Sequence, residues 1–239
     1  MIKPKILIPT CNKYIHYVEA LQYSVRETGL SEFEFIIIGD EKPKFELDKN
    51  WSFVSIGQDS PASKWSTRMR MFLEDFSDEV FIYGCDDCAI TYLDMEKLEV
   101  AIQVASNFRK IGRVALMAEG RKRPIEGFLT NISKFSNESE YRLSLGWSVY
   151  NKECFLQFCE QGMTPWAFEL QSNDPNKKEE LDKWRFLTFL PSDGAIDGAF
   201  FARKHINGLI PDWHKGYYGH DLEGERKEII EKMLTKSNY

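Results

Sequence analysis

Two adjacent carboxylates, Asp86 and Asp87, directly follow the apolar run Val80-Phe81-Ile82-Tyr83, within Gly84-Cys85-Asp86-Asp87-Cys88. Such a run reads as a buried strand. A strand of a parallel sheet delivers its last residues to the carboxyl edge, where open α/β sheets bind ligands. Side-by-side carboxylates repel unless a cation or hydrogen bonds compensate. A hard divalent cation held by one or two carboxylates and completed by phosphate oxygens is one solution. A turn of solvated or helix-capping aspartates is the other. Cys85 and Cys88 form a CxxC, which near a βαβ pattern can be a redox dithiol. The two aspartates between the thiols oppose that use, because a reactive cysteine needs an electropositive setting. No second CxxC or nearby His pair completes a zinc site. Two small apolar residues at a buried strand end are the preferred reading.

The elements around this motif follow from apolar periodicity. Ile6-Leu7-Ile8-Pro9-Thr10 is a short strand ending in a breaker. Asn12 can cap a helix carrying Tyr14, Val18, Leu21 and Val25, which Gly29 stops. Residues 33–38 form a second strand closed by Gly39-Asp40, so the chain opens as a βαβ unit. A short strand is expected at 53–56 and a helix at 63–76, with Trp65, Met69, Phe72 and Leu73 on one face. The 95–108 stretch reads as a helix, 114–117 and 141–145 as strands, and 119–137 as a polar, basic connection containing Arg121-Lys122-Arg123. A helix at 152–161 ends before Gly162. Thr164 and Pro165 then supply the cap and first position of another. Residues 172–182 are polar loop or helix, and 223–239 a C-terminal helix.

The chain has 239 residues, 43 % of them hydrophobic, enough for one domain with a sizeable core. Within it, the character of the chain changes near residue 111, which sets off about 1–110 from about 111–222. A net charge of −6 argues against nucleic acid. Aromatics at 14 % suit a core, and also suit stacking on sugar rings. No stretch reaches the length of a membrane span and no apolar leader opens the chain, so a cytoplasmic protein with reduced thiols is expected, in the host cytoplasm if the chain is viral. A dehydrogenase is disfavoured, because Pro9-Thr10-Cys11-Asn12 stands where a glycine-rich phosphate loop would follow the first strand.

The stretches KILIPTCNKY, IIIGD and DEVFIYGCDDCAI, in this order, resemble the nucleotide-sugar half of GT-A glycosyltransferases. The stretch LSLGWSVYNKECFLQFCEQGMTPWAFELQ resembles a bacterial and viral group of them that builds surface polysaccharide, with a Pro-Trp-x-Phe-Glu run at Pro165–Glu169. The resemblance covers about residues 4–172. It implies a GT-A-like (Rossmann-like) α/β fold, a mixed, mainly parallel sheet flanked by helices. It also implies a DxD-like acidic motif holding Mn²⁺ or Mg²⁺ against a donor diphosphate. Cys85 stands where the triplet has an acid, so which of Asp86 and Asp87 ligates directly stays open.

The resemblance further implies that Pro9, Thr10 and Asn12 line the nucleotide pocket and that Asp40 faces base or ribose, unless it is a plain turn aspartate. Lys64 and Arg68 would meet phosphates or donor sugar, unless they lie on a solvated helix face. Glu169, in its well-capped helix, becomes the general base for an acceptor hydroxyl, against the alternative of a surface glutamate. That assignment implies inversion at the sugar carbon. Trp147 and Trp166 are candidates to stack on sugar rings, against ordinary core packing. His214 is the chosen third metal ligand, with His205 and His220 as alternatives. The implied partners are a nucleotide-sugar donor and a glycan or glycoconjugate acceptor. The alternative function is a non-catalytic carbohydrate- or nucleotide-binding module on the same fold.

Overall fold

The computed structural model describes residues 3–57, 61–88, 90, 92–117, 125–129, 132–189 and 200–201. Its elements run β1 (Ile6–Pro9), α1 (Tyr17–Thr28), β2 (Phe35–Gly39), β3 (Trp51–Ser55), α2 (Trp65–Asp75), β4 (Val80–Tyr83), β5 (Tyr92–Leu93), α3 (Met95–Asn107) and β6 (Ile111–Ala115). They continue with β7 (Ile125–Leu129), β8 (Ile132–Phe135), β9 (Ser148–Asn151), α4 (Lys152–Phe158), α5 (Pro165–Leu170), α6 (Lys178–Asp182), β10 (Arg185–Phe189) and β11 (Phe200–Phe201).

Nine strands form one sheet in the order β3-β2-β1-β4-β9-β6-β10-β8-β7. β1 to β4 are mutually parallel, β9 is antiparallel to both β4 and β6, β10 is parallel to β6, and β8 opposes β10 and β7. In this sheet only β8 and β9 oppose the common direction. The expected architecture, a mixed and mainly parallel sheet flanked by helices, is what forms. The sheet passes without a break from the first half into the second.

Strand alternation divides the core between the two faces. Ile6, Ile8, Val80 and Ile82 pack with α1 (Val18, Leu21, Val25) and α3 (Leu98, Ala101, Ile102). Leu7, Phe81 and Tyr83 face the other way, against α2 (Met69, Leu73), α4 (Phe155, Phe158) and Phe168 of α5. Because both faces of β1 and β4 are covered, those strands are continuous apolar runs.

Several elements depart from the sequence reading. α1 begins at Tyr17 behind His16, so Asn12 does not cap it; the Asn12 side chain accepts instead from the Glu41 N–H at 3.2 Å. Gly29 ends the helix at φ 81°, as its backbone freedom allows. Residues 141–145 are not a strand. Leu143 and Leu145 are buried, but their N–H groups are satisfied by Ser172 Oγ (3.1 Å) and Glu169 Oε1 (2.6 Å) rather than by a neighbouring strand. Tyr141 sits at φ 53° and the Arg142 side chain is buried against Asp182 (2.8 Å). β9 fills the strand role instead. The polar, basic 119–137 stretch contains the hairpin β7–β8. Arg121-Lys122-Arg123, His205, His214, His220 and the 223–239 tail lie outside the described residues. No helix among the described residues is long and apolar enough to cross a membrane.

Candidate active site

The carboxyl ends of β1, β2, β3 and β4 open into one cavity of about 410 Å³. Pro9, Thr10, Cys11, Lys13 and Tyr14 line it from the turn after β1. Asp40 and Ile56 follow β2 and β3. Trp65 and Arg68 come from α2, and residues 83–87 from the end of β4. Leu145, Pro165, Trp166 and Glu169 complete the lining. The second half of the chain thus supplies one wall of a pocket built on the first.

β4 carries Asp86 and Asp87 to this edge. Gly84 makes the turn possible: a β-carbon there would lie 2.3 Å from Ile8 Cδ1 and 2.6 Å from the Trp147 ring. Trp147 is fully buried beneath the turn, and its indole N–H donates to the Cys88 carbonyl at 3.2 Å. The expectation that Trp147 stacks on an acceptor sugar is therefore corrected. The ring supports the acidic turn from inside the core. The Thr10 hydroxyl donates to Asp86 Oδ2 at 2.7 Å, tying the ends of β1 and β4 together. Burial pushes the Asp86 carboxyl up to about 7; the Thr10 hydroxyl offsets part of this, while Asp87 and Cys88 add to it.

The thiols agree with a non-redox role. Cys85 and Cys88 are not disulfide-bonded, and Cys85 donates to the Leu145 carbonyl at 3.2 Å. Its hydrogen bond with Cys88, burial and the neighbouring acids hold the Cys85 thiol well above the ordinary range, the opposite of an activated thiolate.

Asp40 is buried and pairs with the Arg68 guanidinium, which reaches it from α2. Both line the cavity, so Asp40 presents an ion pair rather than a lone carboxylate. Gly57, at φ 123°, lets the chain pass close to Arg68, whose Nη2 would sit 3.3 Å from a β-carbon there. Lys64 is exposed in the short 3₁₀ turn Ala62–Lys64 and is not among the cavity-lining residues, and neither is Asn12. Both expectations of a pocket contact are corrected: Lys64 precedes the inward face of α2, and Asn12 fastens the first turn to Glu41.

Glu169 is held from two directions. The Thr164 side chain accepts from the Ala167 N–H (3.1 Å), with Pro165 at the first position of α5. The start of α2 docks on the preceding loop, where Ser66 N–H donates to the Met163 carbonyl (3.2 Å) and Met163 N–H to Ser66 Oγ (2.7 Å). The carboxylate itself accepts from Leu145 N–H at 2.6 Å. A hydrogen bond to a charged acceptor contributes about 1.5–3 kcal/mol. Trp166 lies on the same helix, 64 % exposed at the cavity mouth.

The sequence reading missed Tyr83, Trp65, Lys13 and Tyr14 as cavity residues. Tyr83 and Trp65 look like core aromatics in the sequence, and both do pack partly in the core. Lys13 and Tyr14 adjoin Pro9-Thr10-Cys11-Asn12, and that position was a usable signal.

The site fits a divalent cation in one respect. Asp86 and Asp87 offer two carboxylates at the cavity wall, and the upward-shifted Asp86 is a buried acid whose charge a cation would compensate. Among the described residues, no group of three or more His, Cys, Asp or Glu is arranged to hold a metal.

No family model matches the chain, and no curated protein matches it. Among solved structures, it is similar to a cytidylyltransferase from Leptospira borgpetersenii at 12 % identity and a TM-score of 0.49, covering 99 % of this chain and 96 % of that one. It is similar to residues 1–349 of TarS from S. aureus, solved in complex with UDP-GlcNAc, at 14 % identity and a TM-score of 0.49, covering 98 % of this chain and 72 % of that one. The galactosyltransferase LgtC, with donor and acceptor sugar analogues, gives 11 % identity and a TM-score of 0.43 over 76 % of this chain and 67 % of that one. At these values the assignment of roles rests on the site's own geometry.

Proposed function

We propose that the chain is an inverting glycosyltransferase that moves a sugar from a nucleotide-diphosphate donor to a hydroxyl of a glycan or glycoconjugate. One observation carries this reading: the Asp86–Asp87 turn and a positioned carboxylate, Glu169, line the same cavity. Paired acids suit the leaving diphosphate, and a separate carboxylate suits the attacking hydroxyl. Inversion needs the two on opposite sides of the sugar carbon.

Asp86 and Asp87 would hold Mn²⁺ or Mg²⁺, with His214 proposed as a third protein ligand. When bound, the cation would neutralise charge on the leaving diphosphate. Thr10 fixes Asp86 in the ligating position. The Asp40–Arg68 pair and Pro9 border the nucleotide. Arg68, anchored by Asp40, is oriented to meet phosphate or donor-sugar oxygens. Glu169 takes the proton of the acceptor hydroxyl as the new bond forms, because that hydroxyl is far too weak an acid to ionise at neutral pH. Leu145 N–H keeps one carboxylate oxygen fixed. Trp166, exposed beside Glu169, offers a face for an acceptor ring. Surface-polysaccharide assembly in a cytoplasmic setting is the matching biological role.

Thermal unfolding with UDP, GDP, dTDP and CDP, each with and without Mn²⁺, tests the donor site. A ligand that binds only the folded state raises stability by mass action, by about 2.7 kcal/mol at a hundred times its Kd. One nucleotide should raise Tm only when Mn²⁺ is present. No shift with any of the four would contradict the donor assignment.

A further inference from the structure

Tyr83, the last residue of β4, is 6 % exposed, and its ring packs against those of Phe155 (centroids 6.1 Å apart) and Tyr150 (6.4 Å). It also lines the cavity. Its polar neighbours there are engaged: Asp86 by Thr10, Asp40 by Arg68, Glu169 by Leu145 N–H. The Tyr83 hydroxyl makes no hydrogen bond to any of the described residues, and it is not sealed from the cavity. Buried tyrosine hydroxyls normally find a partner. A hydroxyl held without one, at the wall of a cavity, is placed to meet a ligand.

The surrounding charges indicate which part of the ligand. Cys85, Asp86 and Glu169 all act electrostatically on the Tyr83 phenol. The cavity it lines is also lined by Asp86 and Glu169, the acid and the base of the transferase reading. In the transferase reading, the group between those two is the transferred sugar. Burial, reinforced by these neighbours, holds the phenol protonated, so it is a donor throughout the neutral range.

Resting on that reading, we propose that Tyr83 is a sugar-recognition residue, its hydroxyl donating a hydrogen bond to an oxygen of the transferred sugar between Asp86 and Glu169. Fixed by its ring packing, this donor would favour sugars carrying an oxygen at the matching position and orientation. A site built to bond a substrate oxygen discriminates against an analogue that lacks it, because the buried polar group is then left unpaired.

Tyr83→Phe tests this, since it keeps the ring and removes only the hydroxyl. Three quantities are measured in the presence of Mn²⁺: the affinity for the nucleoside diphosphate that wild type binds, the affinity for the matching nucleotide sugar, and turnover of that nucleotide sugar. The expected result is an unchanged Tm, unchanged nucleoside diphosphate affinity, and a roughly 3- to 10-fold loss in nucleotide-sugar affinity or turnover. With deoxy-sugar donors, wild type and variant should converge on the one analogue that lacks the contacted oxygen. Equal handling of the nucleotide sugar by both proteins would overturn the proposal. So would an equal loss for nucleoside diphosphate and nucleotide sugar, which would mark a general disturbance of the pocket. If wild type itself neither binds nor turns over any nucleotide sugar, the transferase reading fails first and this assignment falls with it.

Discussion

Asp86 is a costly residue to keep. Its carboxyl is raised from an ordinary 3.8 to about 7, chiefly by burial. An acid whose folded pKa is raised contributes stability that is fully present below the unfolded value and is lost as pH rises through the folded one. The metal-free protein should therefore lose stability between about pH 4 and pH 7 through this group. Asp86→Asn should flatten that part of the profile and raise Tm by a few degrees at pH 8, since about 1 kcal/mol corresponds to 2–4 °C at this size. The amide oxygen can still accept from Thr10. The same variant should lose Mn²⁺-dependent nucleotide binding, and Asp87→Ala should lose both that binding and transfer. A lower Tm for metal-free Asp86→Asn at pH 8 would mean the buried charge is compensated within the protein. Glu169→Gln should retain Tm and nucleotide binding, because its amide oxygen can accept from Leu145 N–H. Transfer should fall by about 10²–10⁴-fold, the usual contribution of a general base. The acids were legible because Asp86 and Asp87 end an apolar run and Glu169 follows Thr164-Pro165. Tyr83 was not, because a tyrosine ending a buried strand reads as core until its hydroxyl is seen to lack a partner.

At the scale of elements, the acidic turn depends on what lies under it. Gly84 leaves no room for a β-carbon between Ile8 and the Trp147 ring. Gly84→Ala should cost about 1–3 kcal/mol, the usual range for overpacking, and lower Tm accordingly. It should also weaken nucleotide binding, because the displaced atoms carry the Asp86–Asp87 turn. Wild-type stability in this variant, read by thermal unfolding, would show that Trp147 yields easily and does not brace the site. The strands β1, β2 and β4 and the cap of α5 were readable, since each is set by local pattern: apolar runs for the strands, Thr164-Pro165 for the helix. β9 was not. Its four residues, Ser148-Val149-Tyr150-Asn151, begin and end in polar side chains, and their partners β4 and β6 are distant in sequence. The 141–145 stretch misled for the converse reason. Leu143 and Leu145 alternate like a strand, but Ser172 and Glu169 satisfy their backbone. A long-range hydrogen bond, invisible to periodicity, decided both cases.

At the scale of the molecule, one sheet carries both walls of the site. β1 to β4 bring Thr10, Asp40 and the Asp86–Asp87 turn to a common edge, and antiparallel β9, inserted between β4 and β6, joins the second half to that frame. α5 then adds Glu169 and Trp166 to the cavity that the acids line. Under the proposed reading, a chain with a net charge of −6 would hold an anionic donor by local positive charge, from Arg68 and from the cation proposed for the acids. The most direct test is nucleotide release from a panel of nucleotide sugars with Mn²⁺, measured for wild type and Glu169→Gln with acceptor glycans present. The expected result is release by wild type with one donor class, strongly reduced in Glu169→Gln although that variant still binds the nucleotide. Nucleotide-sugar binding without release by wild type would contradict it and leave a binding module on this fold. Full turnover by Glu169→Gln would remove Glu169 as the base.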